Sequence, residues 1–321
     1  MDRHRARGRR ARPSRRKPLL YTLVASAVLV GGTAVGTVYV KAQAHDGPGL
    51  VSSSPASAAP SPSPSVGEEA SVEPVAEPSV DRDALLTKAM KSVAVADGAD
   101  VSVAVFDLDS AESAAYGDGT FDTASIVKVD ILATLLLQAQ DADRHLTAQE
   151  KTYATAMIEN SDNASASALW TAIGQADGLD SANKRFGLSD TAGGDGALWG
   201  LTQTTAADQL ALLRQVFGDD SELSESSQTY LQGLMGEIAT DQHWGVSAAA
   251  DGSKWALKNG WLARSTTGLW DINSIGRVTV DGHGYLVATL SNGNSTKTKG
   301  ISLVEAAAQA AVSAFQDAAA D

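Results

Sequence analysis

Three short strings in the second half of the chain bring together residue types that can transfer an acyl group: Ser125-Ile126-Val127-Lys128, Ser161-Asp162-Asn163 and Lys258-Asn259-Gly260. Ser125 stands just ahead of an apolar stretch, residues 126–139, that reads as a buried helix, so its hydroxyl would meet the positive end of the helix dipole. Lys128 follows one turn later on the same face. An amine held there among apolar neighbours loses part of its affinity for a proton and can then accept the serine's. That pairs a nucleophile with its base. Each string alone also has a plain structural reading. Ser125 could cap a helix while Lys128 reaches for water, Ser161 could cap the next, and Asn259-Gly260 could make a tight turn. Their order, each beside a suitable element, favours the chemical reading.

In that order the strings resemble the S-x-x-K, S-D-N and K-T-G series of the penicillin-recognising serine enzymes, the superfamily of class A β-lactamases and penicillin-binding proteins. Asn259 stands where the third motif usually carries Thr or Ser. The resemblance covers residues 81–321. It implies Ser125 as nucleophile, Lys128 as its base, Ser161 as proton relay and Asn163 as the amide that orients lysine and substrate. It also implies a substrate-binding strand at Lys258, Asn259, Gly260 and Trp261. There Lys258 supplies positive charge for a substrate carboxylate and Gly260 lets the acyl chain lie against the strand. The Trp261 N–H joins that of Ser125 in an oxyanion hole. The implied substrates are β-lactams or the acyl-D-Ala-D-Ala ends of wall peptides, and no metal or organic cofactor is called for.

The chain departs from the family pattern in three ways. Class A β-lactamases carry a glutamate after the second motif that activates the deacylating water. The corresponding residues 187–201 hold none, only Asp190 and Asp195, of which Asp195 is the better substitute. The step from Ser125 to Ser161 is shorter than in typical class A enzymes, which implies a reduced helical lobe. Asn259 lacks the hydroxyl that helps hold a substrate carboxylate, leaving Arg264 or Arg277 to replace it. Two further strings, Gln242-His243-Trp244-Gly245 and Trp270 with Asn273-Ser274-Ile275-Gly276, look familiar from the same enzymes and read as supporting packing. Slow deacylation is the expectation, with a D,D-carboxypeptidase or a catalytically silent wall-peptide or partner-binding module as the rivals.

Composition narrows the setting. The chain has 321 residues, no cysteine and a net charge of −13. Disulfides, thiolate metal sites and a lipidated cysteine are therefore excluded. Five histidines without metal-binding spacing argue against a zinc hydrolase. The first seventeen residues hold eight Arg and Lys17 against Asp2, while the rest is strongly acidic. An acidic folded part speaks against nucleic acid as a partner. Residues 1–18 read as a basic cytoplasmic tail. Residues 19–40, from Leu19 to Val40, carry no charge and are long enough to span a bilayer, so they read as a transmembrane anchor. The alternative is a signal segment cleaved near Ala44. Residues 41–80, rich in Pro, Ser and Ala, read as a disordered linker. The expectation is a single-pass cell-membrane protein, monomeric, with its catalytic domain outside the cytoplasm.

The elements that must position the motifs follow from periodicity. A helix is predicted over 81–95 and a strand over Val101 to Phe106. Thr147-Ala148-Gln149-Glu150 is a capping box that should open another helix. Strands are predicted over 255–262, 269–280 and 285–291, with turns at Asp281-Gly282 and Asn292-Gly293, and a closing helix over 303–319. Terminal helices on an antiparallel sheet, with a helical insert between early and late strands, make an α+β domain. That is the layout of the β-lactamase/transpeptidase-like fold.

Overall fold

The computed structural model describes residues 80–252 and 254–319, so the predicted basic tail, anchor and linker lie outside the described residues. Among the described residues no helix is long and apolar enough to cross a membrane. Five antiparallel strands form the main sheet: β1 (Asp100–Asp107), β2 (Ser113–Tyr116), β5 (Trp255–Ala263), β6 (Trp270–Val280) and β7 (His283–Asn294), in the order β2-β1-β7-β6-β5. Two-residue strands β3 (Phe121–Asp122) and β4 (Gln203–Thr204) pair with each other. The fold is α+β, as the sequence implies.

Both faces of the sheet are covered. Terminal helices α1 (Arg82–Met90) and α8 (Lys297–Ala319) pack on one face, where Val101, Val103 and Val105 of β1 meet Leu303, Ala307 and Ala311. The alternate residue Ala104 turns to the other face, against a lobe of six helices. These are α2 (Val127–Asp141), α3 (Ala148–Glu159), α4 (Asn163–Ala172), α5 (Gln175–Phe186), α6 (Ala206–Phe217) and α7 (Glu225–Gly236). Helix α2 runs through the middle of this lobe, buried on all sides from Val127 to Leu137, which is why its sequence is apolar nearly all round.

Local signals set several boundaries. The capping box closes in both directions: Glu150 N–H donates to Thr147 Oγ1 (3.2 Å) and Thr147 N–H to Glu150 Oε2 (2.7 Å). Asp281 and Gly282, at φ +50 and +86, make the two-residue turn between β6 and β7. Other expectations need correction. Asn292-Gly293 is no turn, because β7 continues through it: Asn292 pairs with Asp100 and Asn294 with Trp270. Helix α8 begins at Lys297, six residues before the predicted start, because a polar first turn hides its period. Helix α1 ends at Met90, short of the predicted Val95.

One residue of α2 defies its surroundings. Asp130 is buried among α2, α5 and α6, and neither carboxyl oxygen has a hydrogen-bond partner. Burial pushes its pKa up to about 7, and the nearby Asp180 and Asp208 add to the rise. The fold thus favours the neutral acid, whose unfolded pKa is 3.8. Stability on this account is full at low pH, declines above about pH 4, and has lost this contribution once pH exceeds about 7. Asp130→Asn is expected to match the wild type near pH 4 and to exceed it by about 2–4 kcal/mol near pH 8. Urea unfolding at both pH values checks this; identical differences at the two would show that the fold does not raise the pKa of Asp130.

Candidate active site

Ser125 lies in a short 3-10 turn, Ala124–Ile126, that feeds directly into α2. Every neighbour from Phe121 to Asp130 is buried, and Ser125 alone in that run is partly open to solvent. The turn is held from two sides. Asn273 of β6, itself fully buried, donates from Nδ2 to Asp122 O (2.9 Å) and Thr123 O (3.0 Å). Gly260 of β5 abuts the same turn so closely that a Cβ there would lie 2.6 Å from Thr123 O and 2.9 Å from Ser125 N. No side chain fits. Gly260 thus serves close strand-to-turn packing, where the sequence reading gave it room for an acyl chain.

Lys128 emerges from the first turn of α2 and points back at Ser125. Its Nζ donates to Ser125 Oγ (3.0 Å), Ser161 O (2.7 Å), Ser161 Oγ (3.0 Å) and Asn163 Oδ1 (2.9 Å). Ser161 reaches it because its backbone adopts φ +56, unusual for a residue with a side chain, which turns both its oxygens toward the amine. Asp162 then caps α4, accepting the Ser165 N–H at 2.7 Å. Burial lowers the Lys128 pKa to about 7, and the Asp162 carboxylate offsets only part of that. Lys258 approaches from β5 and donates to Ser161 Oγ at 3.1 Å. It is fully buried, and desolvation together with the charge of Lys128 holds its pKa well below the usual lysine range.

Four of the sequence-predicted residues, Ser125, Lys128, Ser161 and Asn163, therefore meet at one amine, and Lys258 joins them through Ser161. Asn259 does not. Strand alternation turns it away from Ser125, and it is fully buried. Its Nδ2 donates to Gln242 O (2.8 Å) and Trp244 O (3.0 Å), while its Oδ1 accepts from Ser274 Oγ (2.6 Å). The Asn259 side chain thus locks the 242–244 segment onto β5 instead of lining the opening. Trp261 turns the same way, its indole packed with Trp244 and Ile272 and topped by the Lys297 ammonium 4.2 Å from the ring centre.

The candidate substitutes also find other places. Arg264 pairs with Asp122 and, through Nε, with Asp271 Oδ2 at 3.2 Å. Arg277 lies opposite Ala256, three pairs along the ladder from Asn259 and Ser274. Asp195 and Asp190 are both exposed, and neither is among the groups bonded to Lys128. Among the described residues no cluster of three acidic, histidine or cysteine side chains is arranged to hold a metal.

Two residues near the site carry no motif signal. Gln242, buried beside Lys258, places Oε1 3.5 Å from its Nζ. Trp199 lays its ring 5.0 Å from Lys128 Nζ and ties its Nε1 to Ser167 Oγ of α4 at 3.1 Å. The only hints in the sequence were their positions: Gln242 opens the string read as packing, and Trp199 sits in the stretch that lacks the glutamate.

A sheet backed by terminal helices, with a serine–lysine pair at the root of a central lobe helix, defines a β-lactamase/transpeptidase-like serine enzyme. The model of the β-lactamase enzyme family matches residues 144–315, more than half of the chain, and the chain belongs to that family. The match includes Ser161, Asn163 and Lys258 and begins beyond Ser125 and Lys128. Among solved structures, PBP-A superposes with a TM-score of 0.62 at 21% identity, over 73% of this chain and 96% of that one. The TLA-1 extended-spectrum β-lactamase gives 0.63 at 16% identity, over 73% and 98%. A class A β-lactamase from Bacteroides cellulosilyticus gives 0.61 at 16%, over 74% and 99%. At these identities the likeness is one of fold. No curated protein matches the sequence.

Proposed function

We propose that this protein is a membrane-tethered, extracytoplasmic serine hydrolase that is acylated at Ser125 by β-lactams or D-Ala-D-Ala-type wall peptides and releases the acyl group slowly. The observation that carries this reading is Lys128 Nζ, 3.0 Å from both Ser125 Oγ and Ser161 Oγ. With a pKa of about 7, a large share of Lys128 is neutral at physiological pH and ready to take the Ser125 proton as Oγ attacks the carbonyl carbon. The proton can pass through Ser161 Oγ, which both lysines contact, to the departing nitrogen. Asn163 holds Lys128 in line, and the backbone N–H groups of Ser125 and Trp261 are the proposed donors to the oxyanion. Lys258, which donates to Ser161 Oγ at 3.1 Å, is the proposed anchor for a substrate carboxylate, whose arrival would favour its charged form.

No carboxylate is bonded to Lys128, so a deacylating water lacks the activator that class A β-lactamases use. Intact-mass spectrometry after mixing with a penicillin is expected to show one adduct, persisting for minutes or longer. No adduct would refute acylation, and turnover of a chromogenic cephalosporin at many per second would refute slow release. The same acylation chemistry would serve a D,D-carboxypeptidase, recognised by release of D-Ala from a model peptide. A silent wall-peptide or partner-binding module has less support, because the Ser125–Lys128–Ser161 contacts are those of a working nucleophile.

The tether rests on residues 19–40 and the arginines before them. The protein is expected in the membrane fraction, with a C-terminal reporter active only outside the cytoplasm. Recovery of a soluble form beginning at His45 would show cleavage instead.

A further inference from the structure

The Lys128 amine is sealed. The residue is fully buried, and its Nζ already has four oxygen partners within 3.0 Å: Ser125 Oγ, Ser161 O and Oγ, and Asn163 Oδ1. Those contacts occupy the sides of the amine that face Ser125, Ser161 and Asn163. The remaining flank is closed by the Trp199 ring, 5.0 Å from Nζ. That ring is not free to swing aside. Its Nε1 is bonded to Ser167 Oγ at 3.1 Å, and its 3-10 turn, Trp199–Leu201, is followed by Thr202, whose carbonyl accepts the Thr123 N–H at 2.9 Å. The indole is thus bonded to α4, and the turn that carries it is joined through Thr202 to the segment leading into Ser125.

Hydrolysis of an ester on Ser125 requires a base and a water between that base and the carbonyl carbon. The base is present. During acylation the proton taken from Ser125 leaves with the substrate's nitrogen, which returns Lys128 to its neutral form. Resting on the acylation proposed above, we infer that Trp199 fills the space from which a hydrolytic water would approach, and that this exclusion of water, more than the want of a base, sets the lifetime of the acyl-enzyme. The step withheld is balanced by the chain's own groups. Water oxygen bonds to the ester carbon and gives a proton to Lys128 Nζ; the C–Oγ bond then breaks, and Ser125 Oγ recovers a proton from the lysine.

The test uses the full chain as wild type, Trp199→Ala and Trp199→Phe, with two readouts. The first is acyl-enzyme lifetime by intact mass after a penicillin pulse and removal of excess. Trp199→Ala is expected to shorten it by at least about 10-fold, a fraction of the full 10²–10⁴-fold that general-base assistance supplies. The rate in that variant should rise with pH across the range in which Lys128 loses its proton. Trp199→Phe, which keeps a ring in place, should retain most of the wild-type lifetime. The second readout needs no substrate: labelling of Lys128 by an amine-reactive reagent, mapped by peptide mass, should be slow in the wild type and in Trp199→Phe but faster in Trp199→Ala. An unchanged lifetime in Trp199→Ala overturns the inference, as does equal Lys128 labelling in wild type and Trp199→Ala. A wild type that takes no penicillin would refute the acylation reading itself, and the labelling arm would still decide whether Trp199 seals the amine.

Discussion

Ser125→Ala is expected to leave the protein folded and entirely unlabelled by penicillin. Ser125 is the partly exposed residue of an otherwise buried turn, and its hydroxyl makes one described hydrogen bond, from Lys128 at 3.0 Å. Its loss leaves the amine three other oxygen partners, so the cost to stability should stay near that of one hydrogen bond, about 1 kcal/mol. The Asn273 bonds and the Gly260 contact that shape the turn involve backbone atoms and survive the change. Chemically the loss should be complete, because the variant lacks the proposed nucleophile. Intact mass and peptide mapping check the label, and circular dichroism checks the fold. Equal labelling of wild type and variant would place the acylated group elsewhere.

The second large effect belongs to Lys128. Lys128→Met, of similar length and without an amine, should slow acylation by about 10²–10⁴-fold. In the wild type the acylation rate should rise with pH through about 7, because the neutral amine is the active form and burial has brought its pKa there. The variant should lose that inflection. Stability moves the other way. A lysine whose folded pKa is depressed contributes fully only above its unfolded pKa of 10.5, and that contribution is lost as pH falls through about 7. The melting temperature of Lys128→Met near neutral pH should therefore equal or exceed that of the wild type. Stopped-flow acylation across pH, with thermal melts beside it, checks both. A rate profile for Lys128→Met that keeps the wild-type inflection would assign the base to another group.

Lys128 and Asp130, two residues apart on one helix, show how function and stability divide here. Both are buried at a cost, and both have pKa values displaced toward neutrality. The lysine faces four oxygens, that of Ser125 among them; the aspartate faces the lobe interior, where neither oxygen is bonded. The same physical cause, desolvation, yields the proposed base in one place and a pH-dependent weakness in the other.

Much of this was legible in the chain itself, because it depends on short-range chemistry. An apolar run behind Ser125 can only be an interior helix, and a lysine one turn on must share its face. Thr147 and Glu150 bond each other's backbone within one turn, and Asp281-Gly282 suits a turn whatever lies around it. What only the tertiary structure decided is which distant surfaces meet. Strand alternation and the fit of residues 242–244 turned Asn259 inward, where its motif position suggested substrate. Close packing of β5 on the Ser125 turn gave Gly260 its role. The loop after α5 brought an indole, not Asp195, to the Lys128 amine, since Trp199 has a partner on α4 and the aspartate remains in water. A sequence names the groups able to do the chemistry; the side chain a loop presents to them is chosen by packing across segments far apart in the chain, and that carries no local signature.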